Sequence, residues 1–400
     1  MVDPRIRLGM VGGGEGAFIG AVHRMAARLD DRYEFVAGAL SADAEKARRS
    51  GLALGLDPAR AYPDYAAMIR GEASRPDGVE AVAIVTPNHM HAPPATACLA
   101  AGLHVICDKP LAASLAEGLA LRALARDSGR IFAVTYNYTG YPMVRQARAM
   151  IAAGALGPLR LVQVEYVQDW LSTPLEETGH KQAAWRTDPA RSGKGGAIGD
   201  IGTHAFNLAE FVTGLTVESL CAELTHFIPG RRLDDNAQIL LRLSGGARGS
   251  LWATQVAPGH ENGLRLRVYG EKGGMEWRQE DPNVLRVAML GEAPRLVTRG
   301  SSAAVPDATR VTRIPAGHPE GYLEAFATLY GEIATAIHAR RQGVEVPPEV
   351  TFPGIEDGLR GMAFVEAAVR SSERGAHWED VVTETGSAEG DDAMAAGGTA

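Results

Sequence analysis

From residue 5 to about residue 138, short apolar runs alternate with amphipathic stretches, and the first run ends in a glycine cluster, Gly12-Gly13-Gly14-Glu15-Gly16-Ala17-Phe18-Ile19-Gly20. This combination restricts the possible folds more than any other feature. Runs at 6–11, 35–40, 81–85, 105–107 and 131–134 are apolar, Arg7 apart, and do not alternate, as expected of strands buried on both faces. Stretches at 92–101 and 115–127 read as helices between them. The pattern predicts βα units and a doubly wound parallel sheet. A glycine-rich turn between the first strand and the first helix lets the backbone approach a pyrophosphate, which the helix N-terminus then stabilises. The spacing fits Gly12, Gly14 and Ala17, and equally Gly12, Gly14 and Gly20 with a longer loop; Phe18 and Ile19 open the helix in either case.

After about residue 155 the pattern changes. Runs at 159–167, 237–243, 249–256 and 264–269 are strand-like and follow one another with few helices between them. Leu264, Leu266 and Val268 alternate with Arg265 and Arg267, as in a sheet with one wet face. One helix interrupts this region at about 198–212, and two close it at 320–340 and 355–371. The expected α/β architecture is an N-terminal Rossmann domain over residues 1–139 and a C-terminal α+β domain over 140–382. The second domain should carry a largely antiparallel open sheet for substrate binding and oligomerisation. The Gly/Ala/Ser/acid-rich segment 383–400 is expected to be disordered.

Net charge is −8, from 40 basic and 48 acidic residues, and half of it comes from Glu384, Glu389, Asp391 and Asp392, with no Lys or Arg among the last 17 residues. The body is only mildly acidic, which argues against a nucleic-acid or anionic-membrane partner. Cys98, Cys107 and Cys221 form an odd set without metal-ligand spacing, as suits a reducing cytoplasm. No run approaches the ~20 apolar residues of a membrane span, and the chain starts without a charged-then-apolar leader. A cytoplasmic location and a small-molecule partner are expected.

The tip of the second strand should meet the adenosine ribose. A carboxylate there would accept from the 2′-hydroxyl and repel a 2′-phosphate. Ser41 does neither strongly, Lys46 or Arg48 would neutralise a phosphate, and Asp43 is still placed to serve NAD, so the choice between NAD and NADP stays open. Further on, Lys109 directly follows the apolar run ending at Cys107-Asp108. Asp200 and His204 are four residues apart on a predicted helix and share one face. Two other readings of that pair remain: Asp200 as a helix N-cap after Gly195, Gly196 and Gly199, or the start of a metal site, for which no further ligands stand at recognisable spacing.

Taken together, Thr86-Pro87-Asn88-His89-Met90-His91, Asp108-Lys109-Pro110, Trp185-Arg186, and Gly195-Gly196 through Asp200 to His204 resemble the Gfo/Idh/MocA oxidoreductases over nearly the whole chain. The resemblance implies a bound NAD(P), sugar or cyclitol substrates, and homodimers or homotetramers. It implies a cis Lys109–Pro110 bond, nicotinamide-side contacts from Thr86, Asn88 and His91, and cofactor contacts from Asp108, Lys109, Trp185 and Arg186. Asp108 replaces the family's usual glutamate, and the glycine loop is longer than usual.

Oxidising a secondary alcohol needs a base within reach of the hydroxyl. His204 suits that role, Lys109 suits holding the oxygen as alkoxide character develops, and Asp200 suits orienting the imidazole or gripping a hydroxyl. Tyr138, Gln168, His260, Asn262 and His318 are further candidates to face a polyol. The expected activity is NAD(P)-dependent oxidation of a ring CH–OH of a cyclitol or pyranose. The alternatives are reduction of a keto-sugar or other non-polyol substrate, or nucleotide sensing without turnover.

Overall fold

The computed structural model describes residues 3–383; the segment expected to be disordered lies outside them apart from Thr383. Strands β1 (Ile6–Gly12), β2 (Tyr33–Ala39), β3 (Ala81–Val85), β4 (His104–Cys107) and β5 (Phe132–Val134) form a parallel sheet in the order β2-β1-β3-β4-β5. Burial of every residue of β3, β4 and β5 explains why their sequence is apolar apart from His104. Helices α1 (Phe18–Leu29), α2 (Ala44–Ala53), α3 (Tyr65–Ala73), α4 (Ala92–Ala100) and α5 (Leu115–Ser128) connect them. Local chemistry sets their ends: Asp43 and Asp64 cap α2 and α3, and Ser114 with Glu117 forms a capping box on α5, which stops at left-handed Gly129.

Helix α6 (Pro142–Ala152) leads into the second sheet, built from β6 (Leu159–Val167), β7 (Val217–Thr225), β8 (Asn236–Leu243), β9 (Arg248–Thr254), β10 (Gly263–Gly270), β11 (Gly273–Arg278), β12 (Val284–Met289), β13 (Arg295–Thr298) and β14 (Glu379–Asp380). Their order is β13-β12-β11-β10-β6-β9-β8-β7-β14, and only the β6–β9 pairing is parallel. The four strands anticipated from the sequence, β6, β8, β9 and β10, are present. The sequence reading did not reach β7 or β11–β14, and β11–β14 are only two to six residues long, too short for a period of two to stand out. Helices α7 (Lys181–Arg186), α8 (Pro189–Ser192) and α9 (Thr203–Thr213) lie between β6 and β7, and α10 (Pro306–Thr309), α11 (Tyr322–Gln342) and α12 (Ile355–Glu373) follow β13.

The two closing helices return to the first sheet. Phe326, Leu329, Tyr330, Ile333 and Ile337 of α11 share one core with Ile6, Leu8 and Val22, while Leu359 and Met362 of α12 join Leu121 and Phe132. Val134 donates its N–H to the Pro353 carbonyl at 2.9 Å, so the last third of the chain also lines the β5 edge. This return path places the carboxyl ends of the parallel strands opposite the second sheet. Among the described residues, no helix is long and apolar enough to cross a membrane.

Candidate active site

A cleft of about 1090 Å³ runs between the sheets, from the glycine turn and the β2 tip to the ends of β6, β10 and β11. At its first end Gly12 and Gly13 have φ of +81° and +74°, a region costly for residues with a Cβ. A Cβ at Gly14 would lie 2.6 Å from the Leu40 carbonyl oxygen, and one at Gly20 would lie 2.4 Å from the Gly13 Cα. Gly20 therefore makes the close helix–turn packing, while Ala17 sits at the N-cap and lines the cleft. Helix α1 has no side-chain cap and no acidic residue in its first turn, which leaves its first amides available to an anion. Arg24 braces the turn by donating to the Gly13 carbonyl at 2.8 Å. This cradle of backbone amides fits a dinucleotide pyrophosphate.

Ser41 and Lys46 line the adenosine end. Asp43 does not line it: its Oδ1 accepts the Lys46 N–H at 2.7 Å as the α2 cap. Thr86, Asn88 and Asp108 line the cleft beyond the turn. His91 is a correction. Buried at 1% exposure, it sets Nδ1 2.6 Å from the Pro110 carbonyl and Nε2 2.9 Å from the Thr86 carbonyl, so it clamps two loops and does not line the cleft.

The floor of the cleft is ionic. The Lys109–Pro110 bond is cis, and the Asp108 carboxylate accepts from the Lys109 N–H at 3.0 Å and the Thr135 hydroxyl at 2.8 Å. The Lys109 ammonium donates to the Asp200 carbonyl and, at 2.9 Å, to its Oδ1. Arg186 Nε at 3.2 Å and Gln255 Nε2 at 2.9 Å donate to Oδ2. Burial alone would raise the Asp200 pKa, but Lys109 and Arg186, with the Lys109 and Gln255 hydrogen bonds, hold it well below the usual carboxylate range. Asp200 lies on a π-helical turn, Ile198–Gly202, that runs straight into α9. Such insertions are frequent at functional sites. Asp234, not Asp200, holds the start of this turn, accepting the Gly196 and Ile198 N–H groups at 2.6 and 2.8 Å.

His204, on the first turn of α9, also lines the cleft. Its Nδ1 is buried without a partner, and burial, reinforced by Lys109 against the opposing effect of Asp200, pushes its pKa well below the usual value. The expected orientation of the imidazole by Asp200 is corrected: among the described residues, the carboxylate bonds only Lys109, Arg186 and Gln255. Packing positions the ring instead, with Tyr138 and Tyr136 edge-on at centroid distances of 4.9 and 5.7 Å. Trp185 and Arg186 line the cleft; Arg186 stacks on Trp185 at 4.3 Å and pairs with Asp200 rather than being held for a phosphate.

Tyr138 and Gln168 lie in the wall beyond His204, joined by Asn262 and by residues the sequence reading did not single out: Tyr166, Gln279 and Tyr322. His260 and His318 are exposed and outside the cleft, although Glu261 and Asn262 beside His260 line it, and the His318 segment is pinned through its carbonyl to Arg299. A signal for Gln279, and for Gln255 beneath Asp200, was present in the sequence. Gln168, Gln255 and Gln279 each follow directly on the last residue of a strand, β6, β9 and β11. Ligands in sheet proteins are commonly met at strand ends.

Two family descriptions match this chain: "Oxidoreductase family, NAD-binding Rossmann fold" over residues 6–136 and "GFO/IDH/MocA C-terminal domain" over 144–276. An oxidoreductase from Sinorhizobium meliloti of known structure is 55% identical, with a TM-score of 0.86 over 94% of this chain and 99% of that one. An inositol dehydrogenase homologue from Azotobacter vinelandii, solved with NADH and myo-inositol, is 39% identical, with a TM-score of 0.88 over 94% and 97% of the two chains. Levoglucosan dehydrogenase from Pseudarthrobacter phenanthrenivorans is 28% identical over 94% of this chain and 98% of its own.

Proposed function

This chain belongs to the Gfo/Idh/MocA family of oxidoreductases, with an NAD-binding Rossmann domain, and from that premise we propose that it oxidises a ring CH–OH of a cyclitol or pyranose. One observation carries the reading: an ammonium from the nucleotide half and a neutral imidazole from the other half line a single cavity whose far end is a pyrophosphate cradle. The glycine turn and the first amides of α1 hold the dinucleotide, with Ser41 and Lys46 at its adenosine end. Bound NAD supplies a hydride acceptor.

The remaining chemistry belongs to the side chains. An ammonium has three donors; Lys109 places two on Asp200, and the third is left to hold the substrate oxygen and stabilise its growing negative charge. His204, neutral near pH 7 because burial disfavours its charged form, takes the hydroxyl proton. Asp200, kept ionised by its two cations, fixes the Lys109 ammonium. The polar wall from Tyr138 to Gln279 supports a polyol over an apolar substrate. Incubating the protein with NAD and a panel of inositols and aldoses should produce the absorbance of reduced nicotinamide. A bound nucleotide with no turnover across the whole panel would overturn this reading.

Self-association into a homodimer or homotetramer belongs to the same proposal. Leu161, Leu240, Tyr269 and Leu296 stand exposed on one face of the open sheet, a surface suited to a second copy. Leu240→Glu should lower the mass measured by light scattering; an unchanged mass would remove this face from the interface.

A further inference from the structure

We propose that the substrate wall selects a neutral polyol by its hydrogen-bond polarity: Tyr138 presents its hydroxyl oxygen to the cleft as an acceptor only. This inference rests on the dehydrogenase reading and narrows its substrate class. The Tyr166 hydroxyl donates to Asn262 Oδ1 at 2.8 Å, and Gln168 Nε2 donates to the same oxygen at 2.8 Å. The Asn262 amide nitrogen in turn donates to Gln279 Oε1 at 3.1 Å, which fixes the carbonyl side of Asn262 toward the two. With its single proton directed to Asn262, Tyr166 has only lone pairs left for Tyr138, so the Tyr138 proton must go to Tyr166.

The consequence reaches the reacting centre. Tyr138 packs 4.9 Å from the His204 ring and lines the cleft; besides Tyr166, its hydroxyl meets the Asn262 side chain. A group that meets this oxygen must bring its own hydrogen. A sugar hydroxyl does so, whereas a carboxylate or a fully ionised phosphate offers only lone pairs and would face an unbridgeable acceptor–acceptor contact. Nothing on the wall compensates. Tyr138, Tyr166, Gln168, Asn262 and Gln279 are all uncharged; the charged residues Glu261, Lys181 and Arg191 also line the cleft but are not part of this wall. Of the nearby cations, Arg186 is paired with Asp200, and Lys109 keeps a single donor, which the reacting oxygen takes.

The test compares kcat/KM with NAD for neutral inositols and aldoses against the matching uronates and sugar phosphates. The wild-type protein should favour the neutral member of each pair by about tenfold or more, the scale of one lost or opposed hydrogen bond to a charged group. In Tyr166→Phe the Tyr138 proton loses its acceptor and can turn toward the cleft, so the preference should shrink by a similar factor while neutral substrates are still oxidised. Equal or better turnover of charged analogues by the wild type would overturn the polarity argument and leave the dehydrogenase reading standing. No turnover of either set would instead sink that underlying reading. An undiminished preference in a folded Tyr166→Phe, checked by circular dichroism, would remove the tyrosine chain as its cause.

Discussion

The two ends of the cleft are built from different materials. At the dinucleotide end the working groups are backbone: Gly12 and Gly13 in conformations that glycine tolerates, Gly14 and Gly20 at close approaches, and the uncapped amides of α1. At the substrate end they are side chains gathered from both domains and from separate strands, set by ion pairs, ring packing and a directional hydrogen-bond chain. A backbone site tolerates side-chain change but not an added Cβ, whereas a side-chain site should fail one role at a time.

The largest effect should come from Lys109→Ala, which removes the donor to the substrate oxygen. Turnover should fall roughly 10²–10³-fold while NAD affinity, measured by fluorescence titration, stays within a few-fold. Loss of NAD binding together with turnover would erase the contrast between the two ends. Gly13→Ala is the reciprocal change. Its Cβ would sit 2.7 Å from Val85 Cγ2 and 2.9 Å from the Gly20 Cα, a cost of about 1–3 kcal/mol in fit, so the KM for NAD should rise on the order of tenfold or more with kcat at saturation largely kept.

A pH profile sharpens the substrate end. His204 must be neutral to accept a proton, and burial, with Lys109 adding to it, places its pKa well below the ordinary imidazole value of 6.5. Alcohol oxidation should therefore be level above that value and fall about tenfold per pH unit only below the shifted pKa. An inflection at or above 6.5 would mean that the ring is not buried as described. The smallest effect is expected for His91→Phe, which leaves the Pro110 and Thr86 carbonyls without their clamp. Thermal unfolding should show a loss of about 1–3 kcal/mol, with the KM for NAD little changed; unaltered stability would deny His91 its bracing role.

The fold was legible in the sequence because its signals are local. Apolar runs mark strands buried on both faces, and the amphipathic stretches at 92–101 and 115–127 mark two of the helices between them. The positions of Lys109, Asp200 and His204 around one cavity also followed, since each stands next to an element end that the sequence reveals. His91, His260 and His318 did not follow. A histidine near a strand or helix end carries no sign of which way its ring turns, and here one was drawn into a backbone clamp and two faced outward.

What the sequence determined by itself is therefore the backbone half of the molecule: the parallel sheet, the glycine turn, and the lysine at the strand end, because steric limits and burial act on neighbouring residues. Tertiary structure alone decided the rest. Which carboxylate pairs with Lys109, why the His204 ring is neutral, and which way the Tyr138 proton points all depend on groups far apart in the chain. Their mutual distances and desolvation exist only once the two sheets face each other.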